Sequence, residues 1–248
     1  MTAREMQVEF ERIIILMNPE FELKDKLTSD TIFAFLNSAQ ERFIRNNYLQ
    51  EDAVQDGTRA QKKNADSLKG LITRVLSVVT TQDTNNTDKT TDRVTLPNDY
   101  FLYIRSNSMI SKNYKLDTEI TDPTKYLITP NKTIREDDVE KIISSFDNRP
   151  ILRNPYVVLN AGNNADVSPA VYLNVIHDLY TIVKKLDLVY YRKPKRFDVI
   201  DVDDINILDT CELPENVHRE IVELAVEMFI TEAKYRLNMK QPASNSNQ

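Results

Sequence analysis

The sequence predicts an α+β chain: a helical bundle body, made of N-terminal helices plus a C-terminal helix, with an inserted antiparallel β-rich region. Three observations point that way. Apolar residues recur at helical spacing in the first eighty residues and again after 213, period-two alternation is confined to the middle, and the polar stretch TTQDTNNTDKTTD (80–92) marks the change. The expected layout is a single domain over 1–248, with a helical body at 1–80 plus 213–238, a β-rich insertion at 93–200 and a flexible tail at 239–248.

Met6, Phe10, Ile13, Ile14 and Met17 share one face of a first helix that stops before Asn18-Pro19. Thr28 or Ser29 caps a second, whose stripe is Ile32, Phe35, Leu36, Ala39 and Phe43. A third is expected over 60–80, with Leu68, Leu71, Ile72, Val75, Leu76 and Val79 in register. Val94 to Leu96 reads as a short strand, Pro97-Asn98-Asp99 as a turn, and YFLYIRS (100–106) as an apolar continuation. Residues 112–133 carry Pro123 and Pro130 without a sustained period, the signature of a functional loop. A short acidic helix at 134–146 precedes three strands, at 155–160, 170–176 and 180–194, expected to form an antiparallel meander. In the last strand Ile182, Leu186, Leu188 and Tyr190 alternate onto one face. Pro214 and Glu215 then open a final helix with Val217, Ile221, Leu224, Ala225 and Met228 inside.

Composition excludes several function classes. The 248 residues carry a formal net charge of −6, whereas a protein that coats nucleic acid is usually basic overall. Only three glycines, Gly57, Gly70 and Gly162, are present, so neither a Walker A loop nor a dinucleotide fingerprint can be built. The single cysteine, Cys211, gives no disulfide framework, and its acidic neighbour Glu212 should raise the thiol pKa, away from nucleophilic use. The apolar run IIILM (13–17) is too short for a signal peptide or a membrane span, so synthesis in the cytoplasm is expected. His177 beside Asp178 reads as a turn histidine held by an acid, and no catalytic residue, cofactor or metal site is expected.

The most distinctive stretch is LVYYRKPKRFD (188–198). Arg192, Lys193, Lys195 and Arg196 could grip phosphates, with Tyr190 or Tyr191 stacking on bases. A carboxylate run follows at once: Asp198, Asp201, Asp203, Asp204, Asp209 and Glu212. Cation and anion fields that close cancel over a Debye length of ~8 Å. A two-signed surface suits head-to-tail contact, the cations of one copy meeting Asp201, Asp203 and Asp204 of the next, and such contacts close into rings. The alternative is a DNA-binding packaging or regulatory protein that uses 192–196. A weaker third reading, a metal-dependent nuclease on Asp201, Asp203 and Asp204, lacks the spacing of a known cation loop.

The order of parts resembles a family. Amphipathic helices, then LPNDYFLYIRS, a β region ending in YYRKP, and a helix opening LPENVHREIVELAVEMFI are similar to the head-to-tail connector, or adaptor ring, proteins of short-tailed phages. Ring proteins of crAss-like phages are the nearest match, over about residues 5–240. The resemblance implies a non-enzymatic virion protein in a dodecameric ring at the portal–tail junction, extending the channel through which genomic DNA passes. The implied partners are copies of itself, the portal protein and other tail or ring proteins, with no membrane. It also implies portal contacts from the C-terminal segment, here Tyr235, Arg236, Lys240, Gln241 and Gln248.

Overall fold

The structure is a computed structural model; it describes residues 1–17, 27–53, 66–79, 81–82, 90–111, 126–145, 147–148, 150, 154–162, 170–178, 182–197 and 210–239. Its helices are α1 (Ala3–Met17), α2 (Ser29–Ala53), α3 (Val139–Ser144) and α4 (Glu215–Met239). The strands are β1 (Ile72–Val79), β2 (Thr81–Gln82), β3 (Thr91–Thr95), β4 (Tyr100–Ser111), β5 (Tyr126–Pro130), β6 (Lys132–Thr133), β7 (Tyr156–Gly162), β8 (Ala170–Ile176) and β9 (Ile182–Arg192). The chain divides into two compact units, Met1–Leu71 with Lys193–Gln248, and Ile72–Arg192.

The first unit holds α1, α2 and α4, with both α1 and α2 packed on α4. Local chemistry sets its helix starts. Thr2 and Glu5 form a reciprocal capping box: Glu5 N donates to Thr2 Oγ1 at 3.2 Å and Thr2 N to Glu5 Oε2 at 2.9 Å. Thr28, one of the two expected caps, accepts from Thr31 N at 3.3 Å. Met6, Phe10 and Ile14 of α1 are buried, as are Ile32, Leu36, Ala39 and Phe43 of α2 and Val217, Ile221 and Ala225 of α4. Phe229 sits edge-on to both Phe10 and Phe35, with ring centroids 6.0 and 5.5 Å apart.

The second unit is two facing sheets, four strands in the order β1-β9-β4-β5 and five in the order β2-β3-β8-β7-β6. Ile110, Val183, Leu186, Leu188 and Tyr190 from one sheet meet Val94, Val157, Leu173 and Val175 from the other in one buried cluster. On the outer face of the five-stranded sheet, α3 and Ile134 cover Tyr156, Val158 and Ile176.

This arrangement overturns the expected helical bundle body with an inserted β region. The fold is mixed, and its sheets own a core of their own. The reason lies in the third expected helix: Asp66–Leu68 are helical and a turn follows at Lys69–Leu71, but from Ile72, opposite Tyr191, the chain runs as β1 antiparallel to β9, and 60–65 lie outside the described residues. Ile72, Thr73, Val75, Val78 and Val79 are β-branched and fit a pleated surface, and a short apolar run satisfies the helical and strand periods alike. The expected meander also breaks. β7 and β8 form a hairpin, with Val157 opposite Val175, but β8 continues to β3 while β9 crosses to the other sheet between β1 and β4. Of the supposed 112–133 loop, 126–130 and 132–133 are strand, and 112–125 lie outside the described residues.

Candidate functional site

The basic stretch begins on β9 and runs on as an extended strap at 193–197. Tyr190 and Tyr191 are buried, so neither ring offers a face to a base. Tyr190 Oη donates to Asp99 Oδ1 at 2.8 Å, and burial together with that carboxylate pushes the phenol up to about 12. The alternation that fills the sheet core therefore consumes the aromatics next to the cations.

The strap itself is pinned from below. The Asn37 side chain clamps the backbone of Phe197, accepting from its N–H at 2.8 Å and donating to its carbonyl at 2.9 Å. The buried Phe197 ring lies 6.4 Å from that of Phe33. Lys195 N donates to Glu212 Oε2 at 2.9 Å, and Arg196 lies 3.7 Å from Glu41 in an exposed ion pair. These bonds consume backbone groups and a phenyl ring, leaving Lys193, Lys195 and Arg196 exposed and Arg192 half-buried. The product is a run of cations whose backbone is pinned at Lys195 and Phe197.

The partner groups proposed for that run fare differently. Asp201, Asp203 and Asp204 lie outside the described residues, as do Lys240, Gln241 and Gln248. Arg236 belongs to α4, and Tyr235, one residue before it, is exposed. Among the described residues no group of three or more His, Cys, Asp or Glu could hold a metal ion.

Cys211 and the two histidines are buried within the fold. Cys211 is buried, and burial is the main cause of its raised thiol pKa, with Glu212 a lesser one. His218 is buried with its pKa lowered, first by burial; its Nε2–H donates to Leu213 O at 2.6 Å, and Nδ1 lies 2.7 Å from the Met1 nitrogen. His177 is the residue sequence reasoning misplaced. Its acid is not chiefly Asp178, whose backbone carbonyl accepts from Nδ1 at 2.9 Å, but Asp92 of β3, 3.2 Å from Nε2. Burial alone would lower its pKa; the hydrogen bond and charge of Asp92 outweigh that and raise it. No local pattern links the two positions, because the pairing of β3 with β8 makes the contact.

A second missed feature was visible. In α1, Val8, Ile15, Leu16 and Met17 are exposed apolar side chains. The uninterrupted run at 13–17 is wider than one helix face can bury, which was the signal for an outward apolar surface.

A molecule with paired sheets, a pinned cationic strap and outward apolar side chains has the surfaces of an assembly component. A family model for phage tail ring protein 3/4 matches residues 1–241. The chain belongs to that family, and its resemblance to ring proteins of crAss-like phages holds. It is a tail ring component of the virion, with a structural part in the tail. No curated protein matches it. Among the described residues no helix is long and apolar enough to cross a membrane.

Proposed function

We propose that the chain is a non-enzymatic adaptor: identical copies close into a ring, dodecameric as the resemblance implies, between the portal and later tail parts. The ring extends the DNA channel and offers a docking surface to those parts. The match to a tail ring family over residues 1–241 carries this reading. The strap supports it physically, since Asn37 holds the Phe197 backbone and so limits the main-chain ordering that a contact at Lys195 and Arg196 would cost. Arg192, Lys193, Lys195 and Arg196 of one copy meet Asp201, Asp203 and Asp204 of the next. Tyr235, Arg236, Lys240, Gln241 and Gln248 face the portal. A net charge of −6 suits a channel past which phosphates must slide without sticking. Mixing the purified chain with portal complexes and imaging them tests the proposal. A closed ring at the portal base is the expected result, and bare portals at saturating chain would refute it.

A further inference from the structure

A head-to-tail ring needs two different, complementary patches on every copy. Resting on the ring reading above, we infer that one such pair is a ridge on β1 and a groove between α1 and α4, the ridge of one copy seating in the groove of the next.

The ridge is the outward face of β1. Ile72, Arg74 and Leu76 alternate onto it, opposite Val75, which packs on the sheet core. Ile72 and Leu76 are 43% and 59% exposed. Their backbone positions stand about 14 Å apart, four residues at ~3.4 Å each. Between them the Arg74 guanidinium lies 3.6 Å from Asp187 Oδ2, which steadies it while its side chain stays 57% exposed. Two aliphatic knobs flanking one cation are thus displayed on the edge strand of the four-stranded sheet.

The groove has the converse character. Ile13 and Met17 of α1 and Val226 and Ile230 of α4 form an apolar floor of about 350 Å³, with Glu223 and Glu227 on its rim. Glu223 also pairs with Arg219 at 3.0 Å; the Glu227 carboxylate has no ion-pair partner among the described residues. The α4 lining runs from Glu223 to Lys234, about 16 Å at 1.5 Å per residue, with the two glutamates at its N-terminal end. Lys234 stands about 10 Å beyond Glu227, too far to repel an arginine seated at the two glutamates. A cation between aliphatics matches carboxylates above an aliphatic floor in sign and polarity. A nucleic acid fits neither half, since the groove rim is anionic and the ridge is apolar at both ends.

The test is a short bismaleimide applied to the full chain carrying Leu76→Cys and Ile230→Cys, alone and with portal complexes, while mass photometry follows assembly. The buried Cys211 of the wild type serves as background. The inference expects covalent ladders beyond the dimer, because a head-to-tail contact propagates where a two-fold contact stops at two. Leu76→Asp, at an exposed position, should weaken assembly by at least tenfold without changing the melting temperature of the monomer. Assembled rings without ladders, or rings indifferent to Leu76→Asp, would overturn the ridge-and-groove pairing and leave the ring reading standing. No assembly by the wild type under any of these conditions would overturn both.

Discussion

The buried Asp92–His177 pair makes the sharpest residue-scale statement. The pKa of His177 is raised in the folded chain, so its contribution to stability is fully present below the ordinary histidine value of about 6.5 and is lost as pH rises through the raised one. His177→Gln should therefore destabilise the chain most near pH 6, and the melting-temperature gap to wild type should narrow toward pH 9. A gap independent of pH would show that the pair is not ionised in the fold. Asp92→Ala removes the charge that holds the proton, so burial lowers the His177 pKa and the imidazole goes neutral; the expected loss is about 1–3 kcal/mol at pH 6 in a denaturant titration, smaller at pH 9. Asn37 offers a second case. Its side chain makes two hydrogen bonds with the Phe197 backbone, so Asn37→Ala should cost roughly 1–3 kcal/mol on the same titration, chiefly from the stranded Phe197 groups. A change below about 0.5 kcal/mol would mean the strap holds without its clamp.

At the scale of elements, β1 and β9 separate inside from outside. Leu188 on β9 is fully buried between the sheets, whereas Leu76 on β1 faces out. Leu188→Ala should cost about 2–5 kcal/mol, and Leu76→Ala less than about 0.5, by urea unfolding of the monomer. Equal costs would contradict the placement of the two strands. The same elements show what the sequence could reveal. α1, α2 and α4 were legible because their stripes agree with their end signals: Asn18-Pro19 after α1, Thr28 before α2, and Pro214 with Glu215 at the start of α4. β7, β8 and β9 were legible from alternation, but their partners were not, since period two says which face a residue occupies and nothing about which strand lies beside it. β1 misled because its apolar spacing fits a helix, and its pairing with β9 across more than a hundred residues decided the matter. Of the candidate site, the cations of 192–196 could be read directly. Their anchoring by Asn37, Glu41 and Glu212 could not, because those contacts exist only once the chain has folded.

For the whole molecule, charge and apolar surface have separate tasks. In the proposed ring the cations of 192–196 and the acidic residues that follow them in sequence give direction to the contact between copies, while outward aliphatic side chains give it area. Each contact is weak by itself, and closure of a ring multiplies it. Replacing Arg192, Lys193, Lys195 and Arg196 together by Ser should impair assembly, while retention on DNA stays the same across a salt series. A loss of salt-dependent retention would instead favour the nucleic-acid use of that stretch.

The most direct test is a reconstruction of purified phage particles about the tail axis with no symmetry imposed. The account expects a closed circle of equivalent subunits, each fitted by the paired sheets and the helical unit, with the same contact repeated around it. A chain present as one copy, lying off the axis, or missing from the particles would contradict it.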